Sequence, residues 1–285
     1  MEIKTIGVVG AGQMGSGISE VAITSGFDVL MRDITQEFVD RGRKRVAADL
    51  EKRVEKGKMT SQEKETISKR LSTTTKLEDF RNCDIVIEAA TEQVLLKGEI
   101  FKKLDEVTRK ETILASNTSS ISITRIASFT KRPDRVIGTH FFNPAPVMKL
   151  VEIVRGLATS DDAFRIAKEL SLKLGKTPLE ANDLPGFVSS RLIFTLMNEA
   201  ICALYEGAGK AEEIDAIMKM GANHPMGPLE IADFVGLDTV LSVMRILQEA
   251  FGDKYRPCPL LIKYVDAGFL GRKTERGFYE YGEKR

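Results

Sequence analysis

The fold of this chain is decided by residues 3–33, which read IKTIGVVGAGQMGSGISEVAITSGFDVLMRD. The mostly β-branched run over residues 3–9 predicts a buried strand, and the glycine-rich turn GAGQMG follows it at once. Apolar residues at helical spacing then predict a helix that ends at Gly26, before a second strand over residues 27–31. A strand, a glycine-rich turn, a helix and a second strand in this order are typical of a unit that binds a dinucleotide.

Each glycine of the turn has its own steric task if a dinucleotide binds there. Gly10 makes the tight turn, Gly12 lets the backbone approach the pyrophosphate, and Gly15 lets the helix pack closely. The N-terminus of the helix then faces the phosphate charge. The turn therefore predicts these cofactor-binding residues: Gly10, Gly12, Gln13, Met14 and Gly15. A glycine-rich turn in some other α/β fold is the alternative interpretation.

The acidic residue after the second strand predicts the choice of cofactor. Asp33 stands where a carboxylate accepts hydrogen bonds from the adenine ribose hydroxyls and repels a 2′-phosphate. NAD is therefore the expected cofactor, and NADP is the less favoured one. Arg32 acts in the opposite direction, because a guanidinium beside the ribose could bind a 2′-phosphate.

Two charged helical patterns, over residues 35–56 and 60–70, predict a helical hairpin inserted into this domain. Basic residues gather near the tip of the hairpin: Lys52, Arg53, Lys56 and Lys58. One interpretation of this charge is a solvated face. The other is an anion site for a phosphorylated handle of the substrate.

The alternation of strands and helices resumes after the hairpin. Two apolar runs, over residues 84–89 and 112–115, predict buried parallel strands. The second run is followed by SNTSS, and polar side chains at the carboxyl end of a strand lie where ligands bind in open α/β sheets. Ser119 and Ser120 are candidates for such a contact, and they could also cap a helix before Ile121.

The two residues best suited to acid/base chemistry lie in the next pair of predicted strands. His140 ends the apolar run over residues 136–139, and Glu152 stands inside the run over residues 150–154. A buried carboxylate is costly unless it is paired, so strands lying side by side across the turn NPAP would make His140 its partner. An imidazole that is oriented by a carboxylate can act as a general acid/base. The alternative is a strand-end histidine and an edge-strand glutamate that never meet.

A domain boundary is predicted between residues 184 and 185. A helix over residues 160–174 and a strand near Leu179 complete the first domain, and Pro185 with Gly186 ends the pattern. The expected dinucleotide-binding domain therefore covers residues 1–184.

Residues 185–285 show helical patterns alone, over residues 187–205, 211–220, 228–250 and 258–267. The first of these patterns is apolar nearly all round, as in a helix that is buried on several sides or contributes to a dimer interface. His224 falls in a turn between helices and is interpreted as structural. The predicted fold class is α/β: a Rossmann-like doubly wound sheet with a helical hairpin insertion, followed by an all-α C-terminal domain for substrate binding or dimerisation.

The composition argues against several classes of function. With 42 basic and 41 acidic residues the net charge is +1, so no overall field favours nucleic acid or an anionic membrane. The three cysteines are widely spaced and lack a metal-ligand pattern, so reduced thiols and no metal site are expected. No run approaches the ~20 apolar residues of a membrane span. The first predicted strand starts at Ile3, so a cytoplasmic protein without a leader is expected.

The assembled motifs resemble those of the short-chain L-3-hydroxyacyl-CoA dehydrogenases. The resemblance covers essentially the whole chain, and it rests on GAGQMGSGI, RDITQEFVDRG, ASNTSSISIT, HFFNPAPVMKLVEIVRG, GANHPMGPLE and GRKTERGFYEY. Together these motifs are far more specific than the glycine-rich turn alone. The resemblance implies NAD-dependent hydride transfer on an acyl-CoA substrate, with acetoacetyl-CoA and L-3-hydroxybutyryl-CoA as the expected pair, catalysed by a homodimer.

The resemblance also implies roles for single residues. His140 is similar to the family's catalytic base, Glu152 to its orienting partner, and Ser119 to the hydroxyl that touches both substrate and nicotinamide. Further residues are similar to cofactor contacts: Asp33, Glu92, Lys97, Asn117 and Asn143. Lys56 is similar to a contact for the coenzyme A phosphates.

One position departs from the family pattern. After PGF the family usually reads Val-Asn-Arg, whereas this chain has Ser189, Ser190 and Arg191. The resemblance implies that the family asparagine helps to hold the thioester region of the substrate. Ser190 takes that catalytic position with a shorter side chain that lacks the amide donor.

Two other functions remain open at this point. Sugar-acid dehydrogenases share the architecture and could use a similar histidine–glutamate pair, although the basic hairpin tip favours a coenzyme A ester. The scaffold could also serve as a non-catalytic binding or structural protein, although an intact His140–Glu152 pair favours catalysis. The sequence predicts neither the preferred acyl length nor the physiological direction.

Overall fold

The computed structural model describes residues 2–282, which form two compact units that divide between Asp183 and Leu184. The first unit is a sheet covered by helices, and the second is built from helices. None of the helices in the described range combines the length and the apolar character needed to cross a lipid bilayer.

The described part of the first unit contains eight strands: β1 Thr5–Val9, β2 Asp28–Arg32, β3 Leu71–Thr74, β4 Ile85–Glu88, β5 Ile113–Ser116, β6 Val136–Phe141, β7 Leu150–Arg155 and β8 Thr177–Asn182. They form one sheet in the order β3-β2-β1-β4-β5-β6-β7-β8. Neighbours from β3 to β6 are parallel, β7 runs antiparallel to β6, and β8 is parallel to β7. The chain order reverses between β1 and β4, and open α/β sheets bind their ligands at such a reversal.

Within residues 2–183, six α-helices accompany the sheet: α1 Gln13–Thr24, α2 Gln36–Glu55, α3 Ser61–Ser68, α4 Val94–Val107, α5 Ile123–Ala127 and α6 Asp161–Lys173. One core joins α1, α2 and α6 to the strands, and it includes Ile18, Val46, Ile87, Ile153 and Ile166. The hydrophobic effect holds these layers together, because each helix buries one apolar stripe against the sheet. The predicted Rossmann-like fold with its helical hairpin is confirmed.

The hairpin formed by α2 and α3 is also the crossover from β2 to β3. Val39, Val46 and Leu50 of α2 are buried, so the first helix of the hairpin packs into the unit along its apolar stripe. Strand β3 was not predicted from the sequence, because the residues of this strand, LSTT, contain three hydroxyl side chains and no apolar run. Parallel pairing with β2 is what makes this segment a strand.

The described residues of the second unit form five α-helices: α7 Ser189–Tyr205, α8 Ala211–Gly221, α9 Pro228–Val235, α10 Leu237–Phe251 and α11 Pro259–Asp266. The prediction of a single helix over residues 228–250 is wrong. Gly236 ends α9 and begins α10 with a φ of 101°, a conformation that other residues rarely adopt. Leu192 and Tyr205 on α7, the first helix of this unit, are exposed in the single chain, so the role of this helix in a dimer interface stays a prediction.

Candidate active site

The glycine-rich turn joins β1 to α1 with the geometry that its sequence predicts. Gly10 has a φ of 106°, and a Cβ there would lie 2.6 Å from the carbonyl oxygen of Ala89, so glycine alone fits this tight turn. A Cβ on Gly15 would overlap the carbonyl oxygen of Gly10, which confirms that this glycine lets the helix pack closely. A Cβ on Gly12 would meet no described atom within 4 Å. The fold itself therefore makes no steric demand at Gly12, as expected where a ligand approaches the backbone.

A cavity of about 730 Å³ opens beside this turn, where β1 and β2 end. Its polar lining includes the backbone of the turn and the Asp33 carboxylate, and its apolar lining consists of Ile34, Phe38, Leu77, Leu96 and Ile100 among others. Backbone N–H groups suit phosphates, a carboxylate suits a ribose, and apolar walls suit an adenine ring. The residues present therefore fit NAD.

The two residues that predict cofactor choice are both fixed by backbone groups. The Asp33 Oδ2 atom accepts a hydrogen bond of 2.7 Å from the amide of Ala11, and Oδ1 accepts one of 2.7 Å from the amide of Ile34. The Nε–H of Arg32 donates to the carbonyl of Thr75 at 3.1 Å. Asp33 is thus held against the glycine-rich turn, while Arg32 is held by the segment that follows β3.

His140 and Glu152 lie directly opposite each other on the antiparallel strands β6 and β7. The Nδ1 atom of His140 lies 2.8 Å from Oε2 of Glu152, and both side chains are buried. The ring of Phe142 packs on the imidazole with 4.6 Å between ring centroids. The predicted pairing is confirmed, and it arises because β7 reverses direction after the turn that follows β6.

Hydrogen bonds connect this pair to the neighbouring strand ends and to the glycine-rich turn. The amide of Phe141 donates to Oδ1 of Asn117 at 2.9 Å, which ties the end of β6 to the segment after β5. The Nε2 amide of Gln13 donates to Oδ1 of Asn143 at 3.0 Å, which ties the start of α1 to the turn after β6. Four predicted site residues, Gln13, Asn117, His140 and Asn143, thus belong to one edge of the sheet.

The Glu92 carboxylate organises the hydroxyl-rich segment after β5. Its Oε1 atom accepts hydrogen bonds from Oγ1 of Thr118, from the amides of Ser119 and Ser120, and from Oγ of Ser120. Burial raises the pKa of Glu92, but the Lys97 charge and these hydrogen bonds outweigh burial and hold that pKa below its ordinary value. The expected helix cap at Ser119 or Ser120 is wrong, since Ser122 caps α5 by accepting from the amide of Arg125.

Lys97 lies behind this segment and is almost completely buried. Its ammonium lies 2.7 Å from Oε1 of Glu88, 3.2 Å from the carbonyl of Ala90 and 3.3 Å from Oε2 of Glu92. Glu88 also accepts a hydrogen bond from Oγ of Ser116 through its other oxygen. Glu88 was not predicted as a site residue, although an acidic residue at the end of the buried run IVIE indicates a carboxylate that needs a partner.

At the hairpin tip, the four basic residues have different surroundings. Lys52 pairs with Asp49 on its own helix at 2.9 Å, and Arg53 pairs with a buried carboxylate on α1 at 3.3 Å. Lys56, at the C-terminal end of α2, and Lys58 are exposed. A charge in this position is available to an anion in solution.

Ser190 belongs to the second unit, where it lies buried in the first turn of α7. His224 lies between α8 and α9, and its backbone amide donates to the carbonyl of Met218 at 3.3 Å. Among residues 2–282, His, Cys, Asp and Glu side chains form no group of three or more that could hold a metal ion.

Both units match known protein families. Residues 5–184 match the NAD binding domain of 3-hydroxyacyl-CoA dehydrogenase, and residues 186–281 match the C-terminal domain of the same enzyme. A probable 3-hydroxybutyryl-CoA dehydrogenase from Bacillus subtilis is 55% identical over 285 residues, which is 100% of this chain and 99% of that protein. A 3-hydroxybutyryl-CoA dehydrogenase from Bradyrhizobium diazoefficiens is 52% identical over 98% of this chain and 96% of its own length.

The fold agrees with these matches. The crystal structure of (S)-3-hydroxybutyryl-CoA dehydrogenase from Ralstonia eutropha superposes with a TM-score of 0.96 and 48% sequence identity, covering 99% of this chain and 100% of that one. Sequence, both domain matches and fold all lead to the same group of NAD-dependent oxidoreductases acting on a CH–OH group. The chain therefore belongs to the 3-hydroxyacyl-CoA dehydrogenase family.

Proposed function

We propose that this chain catalyses the NAD(H)-dependent interconversion of acetoacetyl-CoA and L-3-hydroxybutyryl-CoA, with His140 as general acid/base and Glu152 as its orienting partner. The observation that carries the proposal is the buried hydrogen bond of 2.8 Å between the two side chains. Its position at the edge of the sheet that also carries the glycine-rich turn supports a role beside the cofactor. The printed names of the two relatives at 52% and 55% identity support the choice of substrate.

The hydrogen bond to Glu152 decides which nitrogen of His140 handles the proton. Because Nδ1 faces the carboxylate, Nε2 is the atom that takes the proton from the 3-hydroxyl during oxidation and returns it during reduction. The carboxylate holds the ring in this orientation and stabilises the imidazolium that forms. Phe142 restricts the ring further by packing against it. NAD, when bound, accepts or supplies the hydride at the substrate's C3.

The remaining site residues bind and orient. Ser119 and Asn117 hold the substrate oxygen near His140, and Ser119 also contacts the cofactor. Glu92 contributes by fixing the amide of Ser119, and Asn143 by its link to the start of α1. The turn and Asp33 bind the dinucleotide, with Lys97 supporting Glu92 from behind. Such positioning of reactants supplies a large part of the rate enhancement in reactions of this kind.

We assign the coenzyme A phosphates to the hairpin tip at Lys56, and the thioester region to the position of Ser190. The exposure of Lys56 at the end of α2 supports the first assignment, since an exposed ammonium attracts phosphate. The second assignment rests on family resemblance alone.

The test is NADH oxidation followed spectrophotometrically with acetoacetyl-CoA, with longer 3-ketoacyl-CoAs and free 3-keto acids in parallel. Turnover with the thioesters and not with the free acids is the expected result. Faster turnover of free acids would favour a sugar-acid type of dehydrogenase. The absence of turnover with every substrate would favour a non-catalytic protein.

We further propose that the chain acts as a homodimer and resides in the cytoplasm. Support for a dimer comes from exposed apolar side chains on the helices of the second unit, among them Leu192, Ile217, Met220 and Phe234. Light scattering after size-exclusion chromatography measures the mass and tests this directly. Support for a reducing compartment comes from Cys83, Cys202 and Cys258, which are all unbridged thiols.

A further inference from the structure

The loop of residues 142–149 joins β6 to β7 and therefore connects the strands that carry His140 and Glu152. Its outer part is open to solvent, since Val147 is 71% and Met148 is 40% exposed. Within the loop, the amides of these two residues both donate to the carbonyl of Pro144 at 3.0 Å. A loop with such an exposed outer part depends on contacts at its inner side to keep one conformation.

The inner side of this loop is held by a buried lysine. Lys176, between α6 and β8, is 7% exposed, and its ammonium donates to the carbonyls of Ala145 at 2.5 Å and of Met148 at 2.8 Å. The amide of Thr177 adds a backbone hydrogen bond of 2.8 Å to the carbonyl of Lys149. An ammonium is costly to bury unless other groups compensate its charge.

A buried carboxylate on α1, Glu20, contributes negative charge near Lys176; it is 2% exposed and pairs with Arg53 at 3.3 Å. Burial raises the pKa of Glu20, and the positive charges of Arg53 and Lys176 act against that shift. Burial likewise lowers the pKa of Lys176, with Arg53 acting in the same direction and Glu20 in the opposite one. The ammonium of Lys176 is thus held by two carbonyls of the loop, and the charge of Glu20 on α1 favours its protonated form.

The face of α1 that carries Glu20 also contacts the loop at two positions, Gln13 and Gly17. Gln13 donates to the side chain of Asn143 at 3.0 Å. A Cβ on Gly17 would lie 3.2 Å from the Cβ of Ala145 and 3.3 Å from Cδ of Pro146, so α1 and the loop are in close contact. Positions 13, 17 and 20 share one face of a helix. The helix that begins at the glycine-rich turn therefore meets the loop at Asn143, Ala145 and Pro146.

We propose that Lys176 is a positioning residue for the reaction: its buried ammonium fixes the loop that connects the strands of His140 and Glu152, at the place where this loop also meets the helix of the cofactor turn. The inference rests on the proposed function, because it assumes that His140 and Glu152 carry the chemistry. Lys176 acts through the loop and touches neither substrate nor cofactor. Its charged form is the active one, since a neutral amine would be a weaker donor to the two carbonyls.

The first test replaces Lys176 and measures kcat per folded molecule. Lys176→Met should lower kcat by roughly 10–100-fold, because small misplacements of catalytic groups have effects of that size. Lys176→Arg keeps the charge and the donors and should recover part of the loss. Lys173→Met removes an exposed lysine three residues away and serves as the matched control with unchanged kcat. Circular dichroism gives the folded fraction of each variant.

The second test measures the pH dependence of the rate, which would not shift if Lys176 had a purely structural role. Rates are measured in the oxidative direction, with L-3-hydroxybutyryl-CoA and NAD, because there His140 must be neutral and does not itself cause an alkaline decline. Removing the Glu20 charge by Glu20→Gln should lower the pKa of Lys176 further and move the alkaline decline to lower pH. Lys176→Arg should move it to higher pH. The charged groups that act on Lys176 are Glu20 and Arg53, so Arg53→Met should move the decline upward.

Three outcomes would overturn the inference. One is wild-type kcat in Lys176→Met. Another is an equal loss in Lys176→Met and Lys173→Met. The third is coincidence of the alkaline declines of wild type, Glu20→Gln and Lys176→Arg. His140→Gln is measured in the same series, so that an active His140→Gln variant identifies failure of the proposed function instead.

Discussion

At the scale of single residues, the hydrogen bond between His140 and Glu152 makes the clearest prediction. His140→Gln should lower kcat by roughly 10²–10⁴-fold, the usual contribution of a general acid/base. NADH affinity, measured by fluorescence titration, should stay unchanged, because the cofactor cavity does not include His140. Glu152→Gln should also lower kcat, since it leaves the imidazolium without its counter-charge. A His140→Gln variant that keeps more than a tenth of the wild-type kcat contradicts the assignment.

Cofactor choice is a second property that single residues decide. The wild type should prefer NADH to NADPH, because the Asp33 carboxylate lies against the glycine-rich turn and would repel a 2′-phosphate. Asp33→Ala should narrow the gap in kcat/KM between the two cofactors. It should also weaken NADH binding, since the ribose loses its acceptor. Equal kcat/KM values for the two cofactors in the wild type would show that Arg32 outweighs Asp33.

How well residues could be predicted depended on the distance between partners along the chain. His140 and Glu152 are 12 positions apart on adjacent strands, so the local pattern suggested their pairing, and the family resemblance favoured it over the alternative that they never meet. Lys176 and the carbonyl of Ala145 are 31 positions apart, and Gln13 and Asn143 are 130 apart. No periodicity links such positions. The sequence therefore predicted the pair of His140 and Glu152, and not the long-range contacts that hold the surrounding loop and turn in place.

At the scale of elements, the hairpin of α2 and α3 predicts how the substrate is held. Lys56→Glu should raise KM for acetoacetyl-CoA much more than KM for a pantetheine thioester, which lacks the nucleotide phosphates. The effect should shrink at high salt, because an exposed charge contact is screened. Lys58→Glu, on the next exposed lysine, shows whether one position or the general charge of the tip matters. Equal effects on both substrates would exclude the tip as the phosphate site.

Strands and helices were predictable from the sequence where a single pattern of apolar residues covered the whole element. Apolar runs identified the central strands, and helical spacing identified α2 and α7 close to their observed bounds. Two failures have physical causes. β3 is a strand because β2 offers it an edge, and its own residues LSTT give no sign of this. The helix predicted over residues 228–250 is divided by Gly236, whose positive φ overrides the helical spacing on both sides.

At the scale of the whole molecule, the family resemblance predicts that Ser190 of the second unit takes part in the reaction. Ser190→Asn should raise kcat/KM for acetoacetyl-CoA several-fold, because the family asparagine supplies an amide donor that serine lacks. A hydrogen bond to a neutral group is worth ~0.5–1.5 kcal/mol, which corresponds to such a factor. NADH affinity should not change. An unchanged or lower kcat/KM would mean that the buried serine already suits this chain.

For the whole molecule, physical reasoning predicted the fold, whereas the family resemblance predicted the substrate. The succession of a strand, the glycine-rich turn, a helix, a second strand and an acidic residue predicted a dinucleotide-binding fold without any known relative. The acyl-CoA substrate could not be predicted in this way, because no local pattern encodes the shape of a thioester. Motifs distributed over both units supplied it, and the domain matches over residues 5–184 and 186–281 agree with them.

Gly12 has a consequence for protein engineering. Its φ of −68° is open to every residue, and a Cβ there would meet no described atom within 4 Å, so folding alone does not require a glycine. Gly10 and Gly15, by contrast, are required by the fold. A mutational screen that scores only expression and melting temperature would accept substitutions at Gly12 and reject them at Gly10 and Gly15. Positions that such a screen accepts and an activity screen rejects would outline the volume that the dinucleotide occupies.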